Sequence, residues 1–274
     1  MKPMCTETNH HVVMSNDLIK GKSNLSLNEI KLLRLTIMQI MSNDVELSEY
    51  SISIKNLAKV LNLTDDANLY RTVQDMCRHL LQEIVYVGDG NPDHKWQMFQ
   101  WCTKCKYDDG VITIKLHEEL KPYLLELKGY YTQYLLEDIL VLKSKYAIRI
   151  YELIRQEMKY QKVYADHYAD VELDIDTIRI ATGTEEKYSQ MGHFKEKVID
   201  KAVEEINEKT GYEISYEPLK ICRKMVGFKF KIQSKNRGVK SKVKREYAAT
   251  GSATEINGYS GTKGDDVGAA VNGA

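Results

Sequence analysis

GHFKEKVIDKAVEEINEKTGYEISYEPLKICRKMVGFKFKIQ, Gly192 to Gln233, is the stretch on which the reading of this chain turns. Phe194, Val198, Ile199, Ala202, Val203 and Ile206 recur at helical spacing and predict a helix over Phe194 to Glu208. Thr210-Gly211 breaks it. Tyr212 to Glu217 and Gly227 to Gln233 then alternate as the two strands of a hairpin. Between them lies Lys220-Ile221-Cys222-Arg223-Lys224, a basic tip without an acid.

Upstream, Val171 to Leu173 reads as a short strand, Ile175 to Ala181 as a short helix and Gly183 to Gly192 as a turn. Short helix, turn, longer helix, hairpin is the order of a winged helix. In such modules the second helix enters the major groove of DNA, the first braces it, and the hairpin lies along the backbone or an adjacent groove. Reading base edges tolerates mixed polarity; holding phosphate needs cations. Lys195, Lys197 and Lys201 fall on the exposed face of the first two turns, whereas Glu204, Glu205 and Glu208 come later. A plain solvated amphipathic helix would show the same lysines; the basic hairpin beside it favours DNA.

The same order occurs earlier in the chain. Leu25 to Met41 reads as a helix, with Ser26 as N-cap and Glu29 completing a capping box. Tyr50 to Ile54 is a short strand, Ile54 to Leu61 a short helix, Asn62 to Ala67 a turn, and Asn68 to Ile84 a longer helix. Val85 to Val87 is a strand, GDGNPD a turn, and Lys95 to Trp101 with Val111 to Leu116 a hairpin. Arg71, Gln74 and Arg78 lie on the outer face of the longer helix with Asp75 among them. A helical link follows, from His117 to Lys128, and then one or two helices from Tyr131 to Lys159. The halves repeat in architecture at an offset of about 120 residues, the size of a domain. The expected fold is α+β: an N-terminal winged helix over residues 1–128 and a C-terminal one over 129–235. Residues 236–274, basic and then rich in Gly, Ala, Ser and Thr, are expected to be a disordered tail.

Composition agrees with a binding protein only locally. The 274 residues carry 39 basic and 39 acidic side chains, so any DNA-binding charge must be regional. Lys220 to Arg245 supplies it, with eleven Lys or Arg and no Asp or Glu. No apolar run is long enough for a membrane span and the N-terminus lacks the core of a signal peptide. Five scattered cysteines read as reduced thiols, and the expected location is cytoplasmic.

Three stretches resemble the iteron-binding plasmid replication initiators. They are FKEKVIDKAVEEINEKTGYEISYE (Phe194 to Glu217), LKSKYAIRIYELIRQ (Leu142 to Gln156) and NHHVVMSNDLIKGKSNLSLNEIKLL (Asn9 to Leu33). The resemblance spans about Asn9 to Lys235 and implies two tandem winged-helix domains. It further implies a protein that binds direct repeats of double-stranded origin DNA as a monomer. A homodimer, in equilibrium with the monomer, would repress the initiator's own promoter, and host replication proteins such as a helicase or initiator would be partners. The second domain would make the main groove contacts. By position, the DNA-facing residues would be Tyr188, Ser189, His193, Lys195, Lys197 and Lys201, with Arg223 and Lys224 from the wing. This chain sets Glu196 and Asp200 among those lysines.

Other chemistries fit less well. Cys102-Thr-Lys-Cys105 with His94 and His117 matches no common zinc spacing and reads as a turn between strands. His10-His11 would face opposite sides of a strand, which is unsuited to a nickase metal site. No phosphate-binding GxxxxGK[ST] loop is present. No catalytic residue, metal or cofactor is expected. The alternative from another class is a transcriptional repressor with no part in initiation.

Overall fold

The computed structural model describes residues 11–63, 68–88, 93–127, 129–158 and 168–235. The expected tail from Asn236 lies outside them, as do parts of the turns at Asn62 to Ala67 and at GDGNPD.

The first repeat opens with strand β1 (His11–Ser15) and helix α1 (Asn16–Lys20), capped by the Ser15 hydroxyl. Helix α2 (Leu27–Ile37) starts at Ser26. The Ser26 hydroxyl accepts from the Glu29 amide, and the Glu29 carboxylate accepts from the Ser26 amide at 2.8 Å, so the capping box forms as its spacing predicts. Strand β2 (Glu49–Ser53) runs straight into α3 (Ile54–Leu61), and α4 (Leu69–Gln82) follows. Strands β3 (Ile84–Val87) and β4 (Gln97–Gln100) pair with each other. Strands β5 (Cys102–Asp108) and β6 (Val111–Leu116) form the wing, and β2 adds to β6. A 3-10 turn and α5 (Lys121–Leu124), with Pro122 in its first turn, end the repeat.

The second repeat has β7 (Tyr131–Leu135), α6 (Leu136–Leu140), α7 (Lys145–Met158), β8 (Tyr168–Asp174) and α8 (Ile175–Thr182). Residues 191–209 are then helical throughout: α9 (Met191–Phe194), a π-helical turn (Lys195–Asp200) and α10 (Lys201–Lys209). Strands β9 (Tyr212–Ile221) and β10 (Lys224–Ser234) make its wing. The two sheets share one plan, β2-β6-β5 and β8-β10-β9. In each, the strand before the short helix lies beside the last strand. The short helices end 121 residues apart on left-handed residues, Asn62 at φ +52° and Gly183 at φ +63°.

Several expectations need correction. Tyr131 to Leu135 is a strand, not helix, and pairs antiparallel with β1, Val13 opposite Gln133. These are equivalent strands of the two repeats, so their ladder has local two-fold symmetry. It also ties residues 11–15 to residues 131–135 across the expected boundary at 128/129. The first wing is β5–β6, turning at Asp109-Gly110, whereas β4 belongs to a separate hairpin with β3. Cys102 and Cys105 therefore sit within a strand and not in a turn. Ile84, expected at the buried end of α4, opens β3 and is exposed, because Glu83 is already extended.

Phe194, Val198, Ile199, Ala202 and Ile206 are buried with Phe228, Phe230 and Ile232 of β10 and Val171 and Leu173 of β8. Lys229 and Lys231 point out of the same strand toward Asp170 and Glu217. Gly227 is required where β10 crosses β8: a β-carbon there would lie 2.5 Å from the Leu173 carbonyl oxygen.

Polar groups buried between α2 and α7 join the repeats. Glu152 accepts from Arg34, from Arg149 Nη1 at 2.5 Å and from the Tyr134 hydroxyl at 2.5 Å. Arg149 also donates to the carbonyls of Ile19, Gly21 and Ala181, which belong to both repeats. Lys31 donates to the Leu140 carbonyl at 2.7 Å, and burial lowers its pKa.

Candidate nucleic-acid interface

Helix 191–209 is set on its base by two devices. The Arg179 guanidinium, projecting from α8, donates to the carbonyls of Thr184 and Lys187 at 2.7 Å and of Tyr188 at 3.0 Å. It also lies 4.2 Å from the centre of the Phe194 ring, so one side chain fixes the turn and the first turn of the helix after it. At the other end, Glu205 of α10 accepts from the amides of Lys143 and Ser144 at 2.5 and 3.0 Å, bracing the segment that enters α7, whose first turn is capped by the Ser144 hydroxyl accepting from the Tyr146 amide at 3.2 Å. The π-helical turn holds one residue more than an α turn. Val198 and Ile199 are both buried while His193, Lys195, Glu196, Lys197 and Lys201 stay exposed.

The expected DNA-facing residues differ in freedom. Ser189 and His193 are exposed. Tyr188 is half-buried at φ +54° and its ring meets Tyr146 edge-on at 6.4 Å. Burial, then the hydrogen bond with Tyr188, push the Tyr146 phenol up to about 12. Lys197 is paired with Glu196 at 2.7 Å. Lys195 reaches back to Asp200 at 3.2 Å and lies 5.4 Å from the Tyr216 ring, and its hydrogen bonds to Tyr216 and Asp200 raise its pKa. Lys201 has no carboxylate within 4 Å among the described residues. Exposed ion pairs are worth little, so an incoming phosphate can displace Glu196 or Asp200.

The wing extends further than its sequence pattern suggests. Strands β9 and β10 remain paired to Ile221 opposite Lys224, leaving Cys222 and Arg223 as the tip. Cys222 is left-handed at φ +57°. Lys220, Arg223 and Lys224 are all exposed.

The first repeat presents a different surface. Arg71, Gln74 and Arg78 are exposed on α4, with Arg78 paired to Asp75 at 2.7 Å. Its wing tip is Asp108-Asp109-Gly110, with Asp108 paired to Lys106 at 2.9 Å, where the second wing has the exposed Lys220, Arg223 and Lys224. Beside α4, Cys105 lies 3.9 Å from the Cys77 carbonyl. Its hydrogen bond with Cys102 pushes the Cys105 thiol up to about 12. Among the described residues no three His, Cys, Asp or Glu side chains are placed to hold a metal ion. No helix among them is long and apolar enough to cross a membrane.

The comparison with known proteins bears on this arrangement directly. A profile described as initiator replication protein, WH1, matches residues 11–155, and one described as initiator Rep protein, WH2, matches residues 174–232. The chain belongs to the initiator replication protein family. The resemblance carried by Leu142 to Gln156 and Phe194 to Glu217 is thereby established, and so are the two winged helices. This initiator-family chain is 25% identical over 202 residues to a replication initiation protein of Escherichia coli. That match covers 72% of the chain but 61% of the relative's length. Among solved structures it is similar to the Pi initiator protein in complex with iteron DNA, at TM-score 0.68 and 20% identity. That likeness covers 84% of this chain and 100% of the other and speaks to the fold. Domains 2 and 3 of RctB match at TM-score 0.47 and 9% identity over 86% of the chain and 94% of theirs.

Sequence reading overlooked the bracing roles of Arg179 and Glu205, whose hydrogen bonds to the backbone of other segments leave no spacing pattern to find. It also passed over the exposed Ile221, which only the length of the hairpin makes conspicuous.

Proposed function

We propose that this chain is a plasmid replication initiator that binds direct repeats of duplex origin DNA as a monomer, chiefly through its second winged helix. In this reading residues 193–201 face the major groove and Arg223 and Lys224 hold phosphate. The observation that carries it is the joining of a firmly seated helix to a long wing with Lys220, Arg223 and Lys224 at its end. Membership of the initiator family and the likeness to a protein solved with iteron DNA support the ligand. The first winged helix, with its acidic wing tip, is the weaker DNA contact and the dimerisation module. As a dimer the protein represses its own promoter. It has no catalytic role and recruits host replication proteins to the opened origin.

The test is to select duplex sites with the full chain from a randomised library, then footprint it on the DNA flanking its own gene. Direct repeats in the flanking DNA that carry the selected sequence are expected. A single inverted repeat, with no repeated array, would make the protein a repressor instead.

A further inference from the structure

We propose that Ile221 is an apolar wedge that enters the minor groove next to the segment contacted by residues 193–201. This deepens the DNA-binding reading and rests on it.

Strand β8 matches β10 only from Gly227 to Gln233, whereas β9 pairs with β10 as far as Ile221 opposite Lys224. Residues 220–226 therefore form a two-stranded arm that leaves the three-stranded sheet. A register shift between Met225 and Gly227 marks its root. Ile221 occupies the last pair before the tip and is 66% exposed. Lys220, Arg223 and Lys224 flank it, all exposed, while Leu219, Met225 and Val226 are half-buried behind it. Leu219 shares the face of Ile221, Lys224 stands opposite Ile221 on that face, and Lys220 with Met225 lies on the other, so the arm ends in an exposed isoleucine set among cations.

A wing that only grips phosphate has no use for the exposed isoleucine. Phosphate rewards the cations and leaves the isoleucine in water, where burial of its side chain is forgone. One duplex surface suits both features: the minor groove, whose deoxyribose walls are apolar, whose base steps can be parted to expose apolar base faces, and whose rims are phosphate. Isoleucine is among the side chains that lever base steps apart from that groove and kink the duplex. The equivalent tip of the first repeat ends in Asp108-Asp109-Gly110, and the cation nearest it, Lys106, is paired with Asp108 at 2.9 Å, so the second wing suits this role better. The consequence is specificity through deformability: sites with an easily unstacked pyrimidine–purine step under the arm are favoured.

The experiment uses the full chain and the duplex it selects from a randomised library. Bending is measured by circular-permutation electrophoresis, affinity across a salt series, and oligomeric state by light scattering. The parent is expected to bend its site. Ile221→Ala should protect the same bases opposite helix 191–209, lose at least half of the bend, and bind about tenfold more weakly with an unchanged salt slope. Ile221→Leu should restore the bend. Arg223→Ala should do the reverse, flattening the salt slope and keeping the bend. If Ile221→Ala binds and bends as the parent does, the wedge is wrong and the DNA-binding reading stands. If its affinity falls only in step with loss of self-association, Ile221 contacts a second protein copy and the wedge is equally overturned. A parent that selects no duplex would overturn the DNA-binding reading itself.

Discussion

Arg34 of α2 and Glu152 of α7 form a two-point ion pair between the repeats, Nε to Oε1 at 2.7 Å and Nη2 to Oε2 at 3.2 Å, with both side chains out of water. Arg149 adds a second guanidinium to the same carboxylate. One buried anion thus holds two buried cations, one from each repeat.

Glu152→Gln leaves both guanidinium groups without a counter-charge. Breaking such a site is far more harmful than replacing it whole. Urea unfolding should show a loss of about 3–5 kcal/mol. Arg34→Met, which retains the Arg149–Glu152 pair, should lose less.

Acid should act on the same group. Burial raises the Glu152 pKa, but Arg34 and Arg149 outweigh burial and hold it at about 2. The folded pKa is below the unfolded one, so the stabilisation is complete above the unfolded value of about 4.3 and is lost as pH falls through the folded value. Thermal melts between roughly pH 5 and pH 2 should show falling stability in the parent, and a shallower fall in Glu152→Gln.

Glu205→Ala removes the acceptor of the Lys143 and Ser144 amides and the Lys209 pair at 2.8 Å. Hydrogen bonds to a charged group are worth about 1.5–3 kcal/mol. Because Glu205 belongs to α10, the variant should also weaken specific DNA binding more than random-duplex binding. A stability loss with an unchanged ratio of the two would limit Glu205 to bracing the start of α7.

Self-association is expected through β4. Its only ladder partner among the described residues is β3, and Trp96 and Met98 are 50% and 55% exposed. An exposed strand edge with large apolar side chains suits pairing across a two-fold axis. Trp96→Lys or Met98→Lys should shift the protein toward monomer in sedimentation and favour direct-repeat over operator binding. An unchanged association state would place the interface elsewhere.

The second repeat was the more legible of the two in sequence. Its helix carries a clean apolar periodicity at Phe194, Val198, Ala202 and Ile206, and Phe228, Phe230 and Ile232 alternate without interruption. Strands β1 and β7 were not legible, because each is stabilised by a partner some 120 residues away and YTQYL by itself fits helix or strand. The first wing was misplaced because WQMFQW outweighed the Asp109-Gly110 turn that actually closes it. At the interface, the exposed charges were legible from helical spacing. The pairing of Lys195 with Asp200 and of Lys197 with Glu196 depends on side-chain rotamers that spacing does not determine.

The most direct test of the account is the salt dependence of binding to the selected duplex, for the parent and two double variants. Arg223→Ala/Lys224→Ala should lower the slope of log affinity against log salt by about two, one for each phosphate no longer neutralised. Arg71→Ala/Arg78→Ala should leave the preference for the selected site intact and weaken binding only modestly. If the first-repeat pair abolishes site preference while the wing pair leaves slope and affinity unchanged, the second winged helix is not the principal DNA contact.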